Sequence, residues 1–138
     1  MSALSDHAEN SLLDHVLGTS AFTKPAKVYV GLHTQSPNES ASAATEVGGS
    51  AGDSTTGGYS RIEATFGAAA NGSASNNANI TFNTATSDYG TISHIGIYDS
   101  STPGAGNLLL HGALDASKII STGDTLQIST GSLTITLA

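Results

Sequence analysis

Thr91-Ile-Ser-His-Ile-Gly-Ile-Tyr-Asp-Ser-Ser-Thr-Pro-Gly-Ala-Gly-Asn-Leu-Leu-Leu-His-Gly-Ala-Leu114 is the stretch on which the fold turns. Two strand-length apolar runs, Ile92 to Tyr98 and Asn107 to Leu114, flank the turn-forming segment Asp99 to Gly106, a pattern that specifies neighbouring strands rather than a helix. A third run, Lys118 to Ile120, follows a second turn-like stretch, Asp115 to Ser117. Gly123-Asp124 then leads into Thr125 to Ile128. After Thr130-Gly131, the alternation of Leu133, Ile135 and Leu137 with Thr134 and Thr136 closes the chain as a β-branched strand.

The same reading extends towards the N-terminus. Lys27 to His33 places Val28, Val30 and Leu32 on one face and Tyr29 and Gly31 on the other. Tyr59 to Phe66 alternates as a strand, and Ile80-Thr-Phe82 is a short one. Between them, residues 35–58 are read as a long surface loop with almost nothing to bury, and residues 67–79 as a low-complexity connector. Residues 1–18 form the only helical segment. Asp6 and Glu9 make a start resembling a capping box, Leu12, Leu13, Val16 and Leu17 form an apolar stripe, and Gly18 suits the position after the last turn.

Roughly seven or eight short strands with regular turn signals and one helix imply an all-β, antiparallel sandwich or jelly-roll fold, in a single domain spanning residues 1–138. A parallel α/β sheet is excluded because there are no crossover helices.

Composition narrows function. Cysteine is absent, which removes disulfides, Cys-ligated metals and thiol nucleophiles. The formal net charge is −7 and only four residues are Lys or Arg, scattered along the chain, so no nucleic-acid partner is expected. Met1 to His7 lacks the basic region of an export signal and no apolar run approaches a membrane span, so neither secretion by that route nor a membrane partner is expected. His94 and His111, with Asp99 and Asp115 nearby in sequence, match no metal-ligand spacing, and neither metal nor cofactor is expected. Asp99 and Asp115 are the only carboxylates worth testing as a hydrolase pair. The Gly-rich runs at Val47 to Gly52 and Thr56 to Tyr59 lack the Gly-Lys-Ser/Thr ending of a phosphate loop.

Several segments in order carry a resemblance: Asn10-Ser-Leu-Leu-Asp-His-Val-Leu-Gly18, Val28-Tyr-Val-Gly-Leu-His-Thr34, Gly57-Gly-Tyr-Ser-Arg61, Asn79-Ile-Thr-Phe82, Tyr89 to Asp99, Gly106 to Leu114, Ser121-Thr-Gly-Asp124 and Gly131 to Leu137. Together they resemble the small structural proteins of tailed bacteriophages, which include capsid decoration or cement proteins and are often labelled tail-fibre proteins. The resemblance implies a non-enzymatic virion protein on the outer capsid surface, assembled in the host cytoplasm. Its partners would be the major capsid protein, whose subunits it would bridge, and itself, as a dimer or trimer. Leu12, Leu13, Val16 and Leu17 of the helix, with Tyr59 and Arg61, are the expected partner contacts. The other reading is a tail-fibre or tail-tip module that binds a host receptor through the 35–58 loop.

Overall fold

The computed structural model describes residues 3–39, 45–48 and 56–137. The residues quoted first form the central hairpin: β6 (Gly90–Tyr98) pairs antiparallel with β7 (Leu108–Ile120). On the far side of β6 lies β2 (Val28–His33), followed by the edge strand β3 (Ile62–Ala64), while β1 (Ala3–Leu4) covers the start of the outer edge of β7. The order of this five-stranded sheet is β1-β7-β6-β2-β3. Two two-stranded antiparallel ribbons accompany it, β4 (Ser73–Ser75) with β9 (Thr134–Thr136) and β5 (Ile80–Thr81) with β8 (Gln127–Ile128). The protein is all-β and antiparallel, with one short helix, α1 (Asp6–Leu17).

Period-two alternation gives the large sheet two different faces. Val30 pairs with Ile97 and Ile62, Leu32 with Ile95, and Leu110 with Ile97, so these side chains share one face. They form a common core with Ile80, Phe82, Tyr89, Ile120 and Leu133. Within it the Tyr59 ring lies parallel to Phe82 and edge-on to Tyr89, with centroids 6.4 and 5.7 Å away. The opposite face carries the pairs Tyr29–Tyr98, Gly31–Gly96 and His33–His94.

Four local expectations change. Asp115 to Ser117 is not a turn: β7 runs unbroken through it, and the extra residues form a bulge where the register with β6 shifts between Ile92 and His94. The connector contains β4, because Asn71 (φ 53°) and Gly72 (φ 74°) occupy the left-handed region that a tight two-residue hairpin requires, with Ala70 and Ser73 bridged across it. The helix is capped one residue earlier than expected: the Ser5 hydroxyl accepts from the Ala8 N–H at 3.2 Å and donates to the Leu108 carbonyl. Finally, the 35–58 segment is not wholly a surface loop. Glu46 and Val47 are 4% and 3% exposed, and the Val47 N–H donates to the Leu32 carbonyl at 2.9 Å, extending the sheet beyond the end of β3.

Asn76, buried beside β4, ties the ribbon together. Its amide donates to the carbonyls of Ala78 (2.8 Å) and Ser129 (3.0 Å), and its oxygen accepts from the Leu133 N–H (2.9 Å). Asn76→Ala leaves buried backbone groups unpaired and is expected to lower unfolding free energy by about 3 kcal/mol in chemical denaturation. Asn79→Ala, at an exposed site holding Thr130, should cost under about 1 kcal/mol.

Candidate functional site

Arg61, the only arginine of the chain, stands one residue before β3 and points to the polar face of the large sheet. Its Nε and one terminal nitrogen donate to the two oxygens of Glu46, both at 2.8 Å, in a bidentate pair. The other terminal nitrogen donates to the carbonyls of Ser100 (2.9 Å) and Ala105 (3.0 Å) in the β6–β7 loop, and the guanidinium carbon lies 3.5 Å from the centre of the Tyr98 ring. A planar fork spent on a carboxylate, two carbonyls and an aromatic face is a geometry that lysine does not supply.

The pair is buried, with side chains 1% and 2% exposed, and it belongs to a larger network. The Tyr59 hydroxyl donates to Glu46 Oε1 at 2.7 Å and accepts from the Leu32 N–H at 3.0 Å. Tyr98 hydrogen-bonds His33 Nε2 at 2.9 Å, and His33 Nδ1 meets the Thr45 hydroxyl at 2.8 Å. Burial, reinforced by the Glu46 charge, pushes the Tyr59 hydroxyl upward, so it remains a donor at every physiological pH. Space for the network comes from the paired glycines of β2 and β6. A Cβ on Gly31 would lie 2.7 Å from Glu46 Oε1, and one on Gly96 would lie 2.8 Å from the Tyr98 ring.

His33 is fully buried, and its pKa is lowered to about 4, chiefly by burial. Glu46 raises it, while Arg61, His94 and His111 lower it further. His94 is lowered as well, by burial and by His111.

The residues expected at partner contacts separate into two groups. Tyr59 and Arg61 are 1% and 5% exposed, enclosed by the chain's own atoms. Arg61 pairs with Glu46 and not with its near neighbour Glu63, which takes exposed Lys27 instead. Leu13, Val16 and Leu17 are 57%, 78% and 73% exposed, whereas Leu12 is half-buried. Asp99 and Asp115 do not meet across a cleft. Asp99 closes its own loop by accepting from the Asn107 backbone (2.6 Å) and side-chain amides (2.9 Å), and Asp115 stands exposed on the far half of β7. Among the described residues, no three His, Asp or Glu side chains converge as metal ligands would. Among the described residues, His111 Nε2 is buried without a hydrogen-bond partner.

The network therefore acts on stability. Arg61→Met strands the Glu46 charge in the interior and should cost about 3–5 kcal/mol, while adding Glu46→Leu should recover most of that loss in urea unfolding. A pH effect follows from His33. The unfolded chain takes up a proton near pH 6.5 and the folded one only near 4, so stability is complete above pH 6.5 and declines as pH falls towards 4. The expected loss is about 3 kcal/mol, and unfolding curves of His33→Gln should be flatter than wild type across that window.

The search of curated proteins found no match to the chain. A family model matches residues 3–136, nearly the whole sequence, including β1, α1, the Glu46–Arg61 network and both ribbons. It is described as podophage GP4 fiber I protein gp80. The resemblance to tailed-phage structural proteins is thereby borne out, and the chain belongs to the podophage GP4 fiber I protein gp80 family of phage structural proteins.

Proposed function

We propose that the protein is a non-enzymatic component of a tailed-phage particle, carried on a fibre and fixed there by contact with another virion protein. The family match over residues 3–136 carries this reading. The structure supports a building role, because the buried polar groups of the Glu46–Arg61 network are spent on one another rather than directed into a cleft. Glu46 holds Arg61 and Tyr59, and Tyr98 holds His33. What remains outward is an apolar surface on α1.

A second reading is a decoration protein on the outer capsid that bridges major-capsid subunits and stabilises the assembled lattice by binding it in preference to free subunits. One observation favours it. Among the described residues α1, with 12 residues, is the only α-helix, and the sequence has neither the heptads nor the fixed-period repeat of which fibre shafts are commonly built.

Copy number separates the two. Quantitative mass spectrometry of purified particles, referenced to the major capsid protein, should find a few copies per particle if the protein sits on a fibre. A ratio near one to one, or a simple fraction of it, would replace the fibre assignment with the capsid one, and absence from the particle would overturn both.

A further inference from the structure

α1 divides its circumference unequally. At 3.6 residues per turn, Ala8, Ser11 and Leu12 share the sector turned to the sheet, and the helix packs there on β7 and β1. Val16, Leu13 and Leu17 fall in a sector about 100° wide on the outward side. Of the five large apolar side chains exposed among the described residues, these three lie together, while Ile119 and Leu137 stand elsewhere. Single exposed apolar side chains are ordinary, but three on adjoining turns of one helix make a patch.

The charged residues within that sector are of one sign. Asp6 and Glu9 lie in the same sector, with Glu9 about 6–12 Å along the axis from Leu13 and Leu17. Asp14 flanks the sector, and the first Lys or Arg of the sequence, Lys24, lines a groove with His7, Ser11 and Asp14 on another side of the helix. Neither Asp6 nor Glu9 forms an ion pair among the described residues. Their position in the first turn suits the helix dipole, which stabilises them without cancelling their charge. Two such faces packed parallel would set acid beside acid, and packed antiparallel would set each copy's acids against the apolar Val16 and Leu17 of the other with no Lys or Arg in the sector to meet them. The face is complementary to a surface of opposite sign.

We propose that this face seats in an apolar socket on a different virion protein, and that the socket's rim carries Lys or Arg opposite Asp6 and Glu9. This rests on the reading of the chain as a virion component. Leu13, Val16 and Leu17 would be the anchors, and the acids would set the direction in which the helix lies.

The test uses particles assembled with wild-type protein or with variants supplied in its place, counting copies per particle, together with a photoreactive benzoyl-phenylalanine introduced at Val16. Because both side chains are largely exposed, Leu13→Ser/Leu17→Ser should melt with the wild type. Its copies per particle should nevertheless fall by about tenfold or more. Asp6→Asn/Glu9→Gln should also lower incorporation, and salt washes should release the wild type more readily than they release this variant's residual copies. Ile119→Ser, away from the patch, should incorporate normally. The crosslink should join Val16 to another virion protein beside basic residues. Unchanged incorporation of the leucine variant, or a crosslink joining two copies of this chain, overturns the inference while leaving the virion reading intact. Absence of the wild type from particles overturns both.

Discussion

The buried pair of Glu46 and Arg61 is the constraint around which the rest of the molecule is arranged. Moving two charges out of water costs several kcal/mol each, and the attraction between them compensates only when the remaining donors and acceptors are also satisfied. Here they are met from four places in the sequence: the Tyr59 hydroxyl, the Ser100 and Ala105 carbonyls, the Tyr98 ring, and through it His33. The pair thereby reinforces segments at the margin of the sheet, where backbone pairing is limited to the His33–Glu46 bridge and its flanking hydrogen bonds. Residues 45–48 are drawn against the end of β2, and the β6–β7 loop is drawn back over the sheet. Tyr59 joins the two halves of the structure, because its ring stacks in the apolar core while its hydroxyl ends in the charged network.

This arrangement also explains a β face that looks poorly suited to a sheet. Paired glycines weaken strands, since they add no packing and lose the most backbone entropy on folding. Gly31 and Gly96 stand opposite each other in adjacent strands, and their missing side chains leave the volume in which Glu46 and the Tyr98 ring lie. The cost in strand propensity is offset by a set of hydrogen bonds that only this register permits.

Much of the fold was legible because it rests on local pattern. The alternation of Val28, Val30 and Leu32, of Ile95 and Ile97, and of Leu133 and Ile135 locates strands whose apolar sides meet in the core, and Gly18 marks the end of α1 in the left-handed region expected of it. Continuity of β7 through Asp115 to Ser117 was not legible, since a bulge made of Asp, Ala and Ser carries the composition of a turn. The Asn71-Gly72 turn did carry a signal, the left-handed dipeptide of a tight hairpin, obscured by the small polar residues around it. Glu46 carried none. It lies in a Ser/Ala/Gly-rich stretch, and its burial depends on Arg61, 15 positions away, which no periodicity encodes. On α1 the apolar stripe was plain, but Leu12 turns partly inward while Leu13, Val16 and Leu17 stay open to solvent. That division depends on where β7 lies.

Amide hydrogen exchange of the intact protein, followed residue by residue at neutral pH, tests the central claim most directly. If the Glu46–Arg61 network locks residues 45–48 to the sheet, the N–H of Val47, bonded to the Leu32 carbonyl, and the N–H of Leu32, bonded to the Tyr59 hydroxyl, will exchange only through global unfolding, as slowly as the amides at the centre of β2 and β6. Exchange of those two amides orders of magnitude faster than the β6 amides would show that the segment opens on its own, and would contradict the account.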